Sequence, residues 1–207
     1  YKSSKCYVNY KNNLVTVKYS GGSYVDYGNL LYELKEITIH TPSLHSIDNS
    51  KHDITETIYK ASIYLDECNW MDWLKLCDKD FYYSINAYSP EINKDMIYLD
   101  GNFEQMSSLT EMLPKHNTDH SPLMRHTVVY TVEVDKKNKS AETISSFALY
   151  QTQLDGINSH VLAGETNLFM VGKYKDKFSL KNKMPLFVER TVQLDTRRLD
   201  KGTHWPI

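Results

Sequence analysis

The chain has 207 residues, is 41% hydrophobic and carries a formal net charge of −2, values that are typical of one globular domain. This charge balance gives no overall electrostatic case for nucleic acid or an anionic membrane as a partner, and no apolar run is long enough to span a bilayer. Three cysteines are too few for a disulfide scaffold. The sequence does not identify a compartment.

The first third of the chain predicts strands. Leu14 to Tyr19 is a β-branched run followed by a glycine pair, and Tyr24 to Tyr27 is a second run, so together they predict a hairpin. Apolar and polar residues alternate from Leu31 to His40, which predicts one strand. The Thr-Pro-Ser that follows is expected to end it. Ile54 to Ile63 is expected to be the next strand.

The middle of the chain predicts helices. Between Asp66 and Phe81, four residues fall at the helical spacing i, i+3, i+4 and i+7. They are Trp70, Trp73, Leu74 and Cys77. A second helix is expected over Phe103 to Leu113, ending before Pro114.

The last third returns to strand patterns. His126 to Val134, Leu168 to Val171 and Leu186 to Leu194 are expected strands, and Asp135 to Ser140 is an expected solvated turn. Glu142 to Gln153 fits either a helix or a strand. Because no internal repeat or linker is present, one mixed, β-dominated domain is expected.

Three segments in order resemble the α-carbonic anhydrase family: VTVKYSGGSY from Val15, YELKEITIHTPSLHSID from Tyr32, and ETIYK from Glu56. Ser121 to Val132 and Glu189 to Arg197 extend the resemblance, whereas 62–119 diverges. The resemblance implies a single α-carbonic-anhydrase-like domain over 1–207 that lacks the family's usual N-terminal part. It also implies a central, mostly antiparallel sheet with a few short helices.

The same resemblance implies a degenerate zinc site. Of the family's three zinc histidines only His40 is kept, because Thr38 and Ile58 stand at the other two positions. The degenerate site positions are Thr38, His40, Ile58, Glu56, Leu44, His120 and Ser121. One histidine is too few for a zinc site, so no catalytic residue and no cofactor are expected, and any metal would involve His40 and His120.

A domain without catalytic chemistry is expected to act as a structural or binding subunit of a larger assembly, with other protein subunits as its partners. The divergent region is rich in aromatic residues, which concentrate in interfaces. The possible interface residues are Phe81, Tyr82, Tyr83, Trp70 and Trp73.

Two alternatives stay open at this stage. One is an active zinc carbonic anhydrase that hydrates carbon dioxide. The other is a ligand-binding module that uses the emptied active-site cavity, lined by His40, Glu56 and His120.

Overall fold

A computed structural model describes residues 6–11, 14–19, 24–27, 30–33, 36–40, 49–116, 120–154, 163–182, 184–197 and 205–207, with side chains from residue 50 onward except at position 116. The chain divides into two compact units, Tyr1–Asn49 and Ser50–Ile207. The single domain over 1–207 therefore stays a prediction. In the described part of the chain, none of the helices has the length and apolar character needed to cross a membrane.

The described residues of the first unit form five short strands. They are β1 (Cys6–Lys11), β2 (Leu14–Tyr19), β3 (Tyr24–Tyr27), β4 (Leu30–Glu33) and β5 (Glu36–His40). β2 pairs with β1 and β5 in an antiparallel sheet, and β3 pairs with β4. The expected hairpin between β2 and β3 is therefore wrong, and the single strand expected over Leu31 to His40 is two strands.

The second unit is built on a six-stranded sheet. Its strands are β6 (Cys77–Ser89), β7 (Lys94–Asn102), β8 (Leu123–Asp135), β9 (Ser140–Thr152), β10 (Thr166–Ser179) and β11 (Leu186–Leu194). Their order is β7-β6-β11-β10-β9-β8, antiparallel except for the parallel pair β11 and β6. The prediction of a β-dominated, mostly antiparallel fold with few helices is confirmed, and the expected strands and turn of the last third are present. The ambiguous Glu142 to Gln153 segment lies almost entirely in β9.

Helix α1 (Asn49–Asp66) replaces the strand expected over Ile54 to Ile63. The buried apolar residues of α1 are spaced four, three and four apart, as one face of a helix requires. They are Ile54, Ile58, Ala61 and Leu65. Glu56 lies on the exposed side, 2.8 Å from the ammonium of Lys60.

The long helix expected from Asp66 to Phe81 is also wrong. Helix α2 covers only Trp70–Leu74, and β6 begins at Cys77. Asn69 begins α2 by accepting a 3.3 Å hydrogen bond from the backbone N–H of Asp72. Beyond α2, every second residue from Phe81 to Ala87 is buried, which is the period of a strand.

Helix α3 covers Phe103–His116, close to the expected bounds, but it continues through Pro114. Asn102 and Gln105 cap the start of the helix. The side chain of each accepts a hydrogen bond from the backbone N–H of the other, at 2.9–3.0 Å.

The core of the second unit lies between the helices and one face of the sheet. Trp73 of α2 packs edge-on against Phe81 and Tyr83 of β6, with ring centroids 5.9 Å away in both cases. Helix α1 is tied to β8 by a 2.9 Å hydrogen bond between the hydroxyls of Ser62 and Thr127. These contacts place the end of α1 beside the start of β8, where a pocket opens.

Candidate functional site

A pocket of about 400 Å³ lies where the end of α1, the last turn of α3 and the segment leading into β8 meet. Most of its wall is apolar. The larger apolar residues are Leu65, Trp70, Leu113, Pro114, Leu123 and Trp205. The polar lining residues are Asp66, Cys68, His120 and Ser121. Mainly apolar walls with a few polar groups are the usual composition of a small-molecule site.

The turn after α1 shapes one wall of this pocket. Cys68 has a φ of 54°, a left-handed conformation that glycine adopts more easily than any other residue. The backbone N–H of Asn69 donates to the carbonyl of Tyr64 at 2.7 Å, and that of Cys68 donates to Leu65 at 3.4 Å. This Schellman pattern ends α1 and places Asp66, Cys68 and Trp70 on a common wall.

Asp66 is held by the first residues of β8. Its carboxylate lies 2.9 Å from Nε of Arg125 and accepts a 3.0 Å hydrogen bond from the backbone N–H of the same residue. The arginine side chain is 1% exposed and the aspartate side chain 22% exposed. Burial raises the pKa of the Asp66 carboxyl, and Arg125 opposes that rise.

Other buried polar groups lie deeper in the sheet. Arg190 donates two 2.8 Å hydrogen bonds to the carboxylate of Asp176, and its guanidinium lies 4.4 Å from the ring centroids of Tyr174 and Phe187. The hydroxyl of Tyr83 accepts from the backbone N–H of Ile207 at 2.7 Å. These groups are enclosed by the core, so their role is structural.

The outer face of β8 carries exposed apolar residues. Met124, Val128 and Tyr130 form what we call the outer stripe, with exposed fractions of 52%, 52% and 61%. β8 is an edge strand of the six-stranded sheet, and the outer stripe is the side of it that faces away from the core. Exposed apolar side chains along an edge strand are typical of a surface that is covered in an assembly.

The positions that the sequence suggested for a degenerate zinc site are divided between the two units, and the site stays a prediction. Thr38 and His40 belong to β5 of the first unit, with side chains outside the described set, and Leu44 lies outside the described residues. Ile58 is buried in α1 and Glu56 is exposed on the same helix. The described residues include no group of three or more His, Cys, Asp or Glu side chains placed to hold a metal ion.

His120 and Ser121 do share the pocket, but with different neighbours from those expected. They lie beside Asp66 and Cys68, two residues that the sequence analysis did not assign to a site. No sequence motif identifies Asp66 and Cys68 as site residues. Asp66 meets its partner Arg125 only through the packing of α1 on β8, 59 residues further along the chain.

The suggested interface residues are mostly internal. Trp73, Phe81 and Tyr83 are buried in the core, so they are not available to a partner in this fold. Trp70 is half-buried and lines the pocket, and Tyr82 is exposed, its hydroxyl donating a 2.7 Å hydrogen bond to Asp100. For these two residues, a partner contact stays a prediction.

The fold is shared with a known structure. The structure superposes with a TM-score of 0.59 on the β subunit of a putative aromatic-ring-hydroxylating dioxygenase from Novosphingobium aromaticivorans DSM 12444, at 21% identity, covering 72% of this chain and 92% of that one. The second unit thus has the fold of a dioxygenase β subunit. No protein-family model matches the chain.

Two curated relatives identify the family to which the chain belongs. The chain is 52% identical over 154 residues to methanesulfonate monooxygenase hydroxylase subunit β from Methylosulfonomonas methylovora, covering 74% of this chain and 85% of that protein. It is 28% identical over 154 residues to 2-aminobenzenesulfonate 2,3-dioxygenase subunit β from an Alcaligenes species, covering 74% and 97%. The chain belongs to the family of oxygenase β subunits.

This family assignment overturns the resemblance to α-carbonic anhydrases and the functions drawn from it. The zinc lyase, the inactive carbonic-anhydrase scaffold and the emptied-cavity module are all wrong. The physical reason is visible in α1, because Glu56 and Ile58 would share a face of a strand but lie on different sides of a helix. The prediction that the partners are other protein subunits is confirmed, since the relatives are subunits of oxygenases.

Proposed function

We propose that this chain is the noncatalytic β subunit of an oxygenase hydroxylase, and that it binds and stabilises the catalytic subunit without carrying a cofactor of its own. One observation carries the proposal: the 52% identity to methanesulfonate monooxygenase hydroxylase subunit β, which extends over 85% of that protein. At this identity over most of both chains, we expect the fold and the subunit role to be kept.

The chemistry of the described residues supports a noncatalytic role. The best-formed polar cluster, Arg190 with Asp176, is enclosed by Tyr174 and Phe187 and has no access to a substrate. Buried ion pairs of this kind fix the packing of a core. Cys77 is buried, and burial raises the pKa of its thiol far above the ordinary value, so it is not an activated nucleophile.

The outer stripe of Met124, Val128 and Tyr130 supports a subunit role. Exposed apolar side chains on an edge strand favour association, because covering them removes apolar area from water. We assign the catalytic subunit as the partner that covers this stripe, since the relatives are named as β subunits of oxygenases.

Both curated relatives belong to enzymes that are named for organic sulfonates, methanesulfonate in one case and 2-aminobenzenesulfonate in the other. We extend this substrate class to the oxygenase that this chain joins. The oxidation then takes place on the catalytic subunit, and the β subunit contributes assembly.

The test is co-expression of this chain with an oxygenase catalytic subunit from the same organism, followed by affinity capture and size-exclusion chromatography. We expect a stable complex, with sulfonate oxidation that requires the catalytic subunit and a purified β subunit that is inactive alone. Sulfonate oxidation by the β subunit alone, or its failure to enter a complex, would overturn the proposal.

Two matched variants locate the contact. Val128→Glu places a charge in the outer stripe on β8, and Ile97→Glu places the same charge on β7, the opposite edge strand, at a residue that is 65% exposed. We expect Val128→Glu to weaken association about tenfold or more, equivalent to about 1.4 kcal/mol, and Ile97→Glu to leave it unchanged. The reverse result would move the interface to β7.

A further inference from the structure

A groove lies on the outer face of the six-stranded sheet, the face that also carries the outer stripe. We call it the outer groove, and its volume is about 340 Å³. Residues of four neighbouring strands, β8, β9, β10 and β11, line it. Besides the buried Asp176, its charged lining residues are Glu133, Glu142, Lys175, Lys177 and Glu189.

The outer groove continues the outer stripe along β8. A β-bulge between Val129 and Thr131 leaves the stripe residue Tyr130 without a partner in the register of β8 with β9. Beyond the bulge, Thr131 and Glu133 are exposed and line the groove. At about 3.3 Å per residue, Val128 and Glu133 are about 15 Å apart, so a partner surface of ordinary size covers both.

Two carboxylates face each other across the strands of this groove. Glu133 of β8 and Glu142 of β9 are direct cross-strand partners, and both are exposed. Of the ion pairs between described residues, none includes Glu133 or Glu142. Lys177 lies opposite Glu142 on β10, but its ammonium is 2.8 Å from Glu189 instead. Since like charges directly opposite each other repel, the Glu133 and Glu142 pair lowers the stability of the free chain.

A basic side chain from another protein would turn this repulsion into attraction. A pairing that is unfavourable within its own fold is expected where a function requires it. A partner that covers the outer groove also removes water from the two carboxylates, and only an opposite charge offsets that cost. Arginine suits the position best, because its guanidinium has enough N–H groups to donate to both carboxylates at once.

We propose that the catalytic subunit covers the outer groove together with the outer stripe, and that one of its arginine or lysine side chains binds between Glu133 and Glu142. This inference rests on the proposed function, because it states how the same partner is recognised. The apolar outer stripe favours association in general, whereas the carboxylate pair selects a partner with a basic side chain at the matching position.

Glu133→Lys tests the proposal, because it should change the free chain and the complex in opposite directions. In the free chain the new lysine faces Glu142, so we expect the melting temperature to rise by about 1–3 °C. In the complex it faces the basic side chain of the partner, so we expect association with the purified catalytic subunit to weaken at least about tenfold at low salt. Unchanged association, or weaker association together with a lower melting temperature, would overturn the proposal.

Glu111→Lys is the matched control. It makes the same change of charge at an exposed residue of α3, which packs on the other face of the sheet. We expect it to leave association unchanged within about twofold. Equal weakening by Glu111→Lys and Glu133→Lys would show that only net charge matters, and it would exclude a specific contact at the groove.

Neutralising the pair gives a second, milder test. The double variant Glu133→Gln and Glu142→Gln should raise the melting temperature, weaken association about tenfold at low salt and make association less sensitive to added salt. An unchanged salt dependence counts against an ionic contact at this position.

The outcomes for this inference and for the proposed function are distinguishable. If the unsubstituted chain forms no complex with the catalytic subunit, the proposed function fails, and this inference fails with it. If Val128→Glu weakens the complex but Glu133→Lys does not, the outer stripe remains the interface and only the outer groove is excluded.

Discussion

Arg190 and Asp176 form a fully buried, bidentate ion pair across β10 and β11, with both hydrogen bonds at 2.8 Å. The two residues are direct neighbours in the strand register. Tyr174 and Phe187 cover the guanidinium, so water does not screen the pair. Burial lowers the pKa of Arg190, but the Asp176 carboxylate outweighs this effect and holds that pKa above its ordinary value, so the arginine is charged at neutral pH.

Asp176→Asn is expected to destabilise the protein strongly, because it leaves the buried Arg190 charge without a counter-charge. Removing one partner of a buried ion pair costs about 3–5 kcal/mol. Urea denaturation followed by circular dichroism measures this loss as a lower transition midpoint.

The matched control for that variant is Glu189→Gln. Glu189 and Lys177 form a 2.8 Å pair across the same two strands, but on the exposed surface. Exposed pairs contribute about 0–1 kcal/mol, so this variant should shift the transition only slightly. Equal losses from the two variants would show that burial does not determine the energy of the Asp176 pair.

Gly172→Ala is expected to destabilise the sheet by steric overlap. A Cβ atom at Gly172 would lie 2.4 Å from the backbone carbonyl oxygen of Gln193 and 3.0 Å from the ring of Phe147. Because the first contact is with backbone, the strands themselves must move, at a cost of about 1–3 kcal/mol. Thermal unfolding measures this cost as a lower melting temperature.

Gly101→Ala on β7 provides the comparison. A Cβ atom there would meet side-chain atoms of Gln105 and Met106 at 3.1–3.4 Å, and these can adjust. We expect a change in stability within about 0.5 kcal/mol, typical of a tolerated substitution. A larger loss at Gly101 than at Gly172 would contradict the packing of β10 against β11.

Glu91 is expected to titrate at unusually low pH. A hydrogen bond from Arg197, assisted by a 2.8 Å bond from the Ser89 hydroxyl, lowers the pKa of its carboxyl to about 2. Because the folded pKa lies below the ordinary 4.5, the stabilising contribution is complete above pH 4.5 and is lost as the pH falls through about 2. Carboxyl 13C NMR follows this titration directly.

Arg197→Ala should return the Glu91 pKa towards 4.5. It should also remove the contribution of Glu91 to the pH dependence of stability. Lys75→Ala is the control, because it breaks another exposed pair, with Asp72, and should leave Glu91 unchanged. If Glu91 titrates near 4.5 in the unsubstituted protein, the contact with Arg197 is absent in solution.

The sequence predicted those parts of the fold in which local pattern and tertiary structure agree. β8 and β11 lie where strand patterns were expected, and α3 lies close to its expected bounds. The strand expected over Ile54 to Ile63 is wrong because the buried apolar residues there recur every three to four positions, which is the period of a helix. The helical spacing around Trp73 likewise continued by coincidence into Cys77, which begins a strand.

The pocket could not be predicted from local pattern. Asp66 and Arg125 are far apart in sequence, and only the docking of α1 on β8 brings them within 2.9 Å. Asp176 and Arg190 are likewise paired by the register of β10 with β11, which no single strand specifies. Of the two histidines considered for the zinc site, His120 lines the pocket, and the side chain of His40 is outside the described set.

The two cysteines of the second unit are expected to differ in reactivity. Cys77 is buried, its thiol donates to the carbonyl of Trp73 at 3.6 Å, and burial raises its pKa well beyond the usual range. Cys68 is exposed as a residue, although its surroundings also raise the pKa of its thiol. Since the thiolate is the reactive form, Cys68 should react more slowly than an unfolded thiol, and Cys77 should not react until the protein unfolds.

A Cys6→Ser variant isolates these two thiols for titration with a disulfide reagent. We expect one slowly reacting thiol in the native protein and two fast ones in denaturant, with a native rate that rises as the pH approaches the raised pKa of Cys68. Adding Cys68→Ser should remove the native reaction entirely. If Cys77 then reacts at the native rate, β6 opens far more readily than its burial implies, and the core contact between Trp73 and Phe81 is not stable in solution.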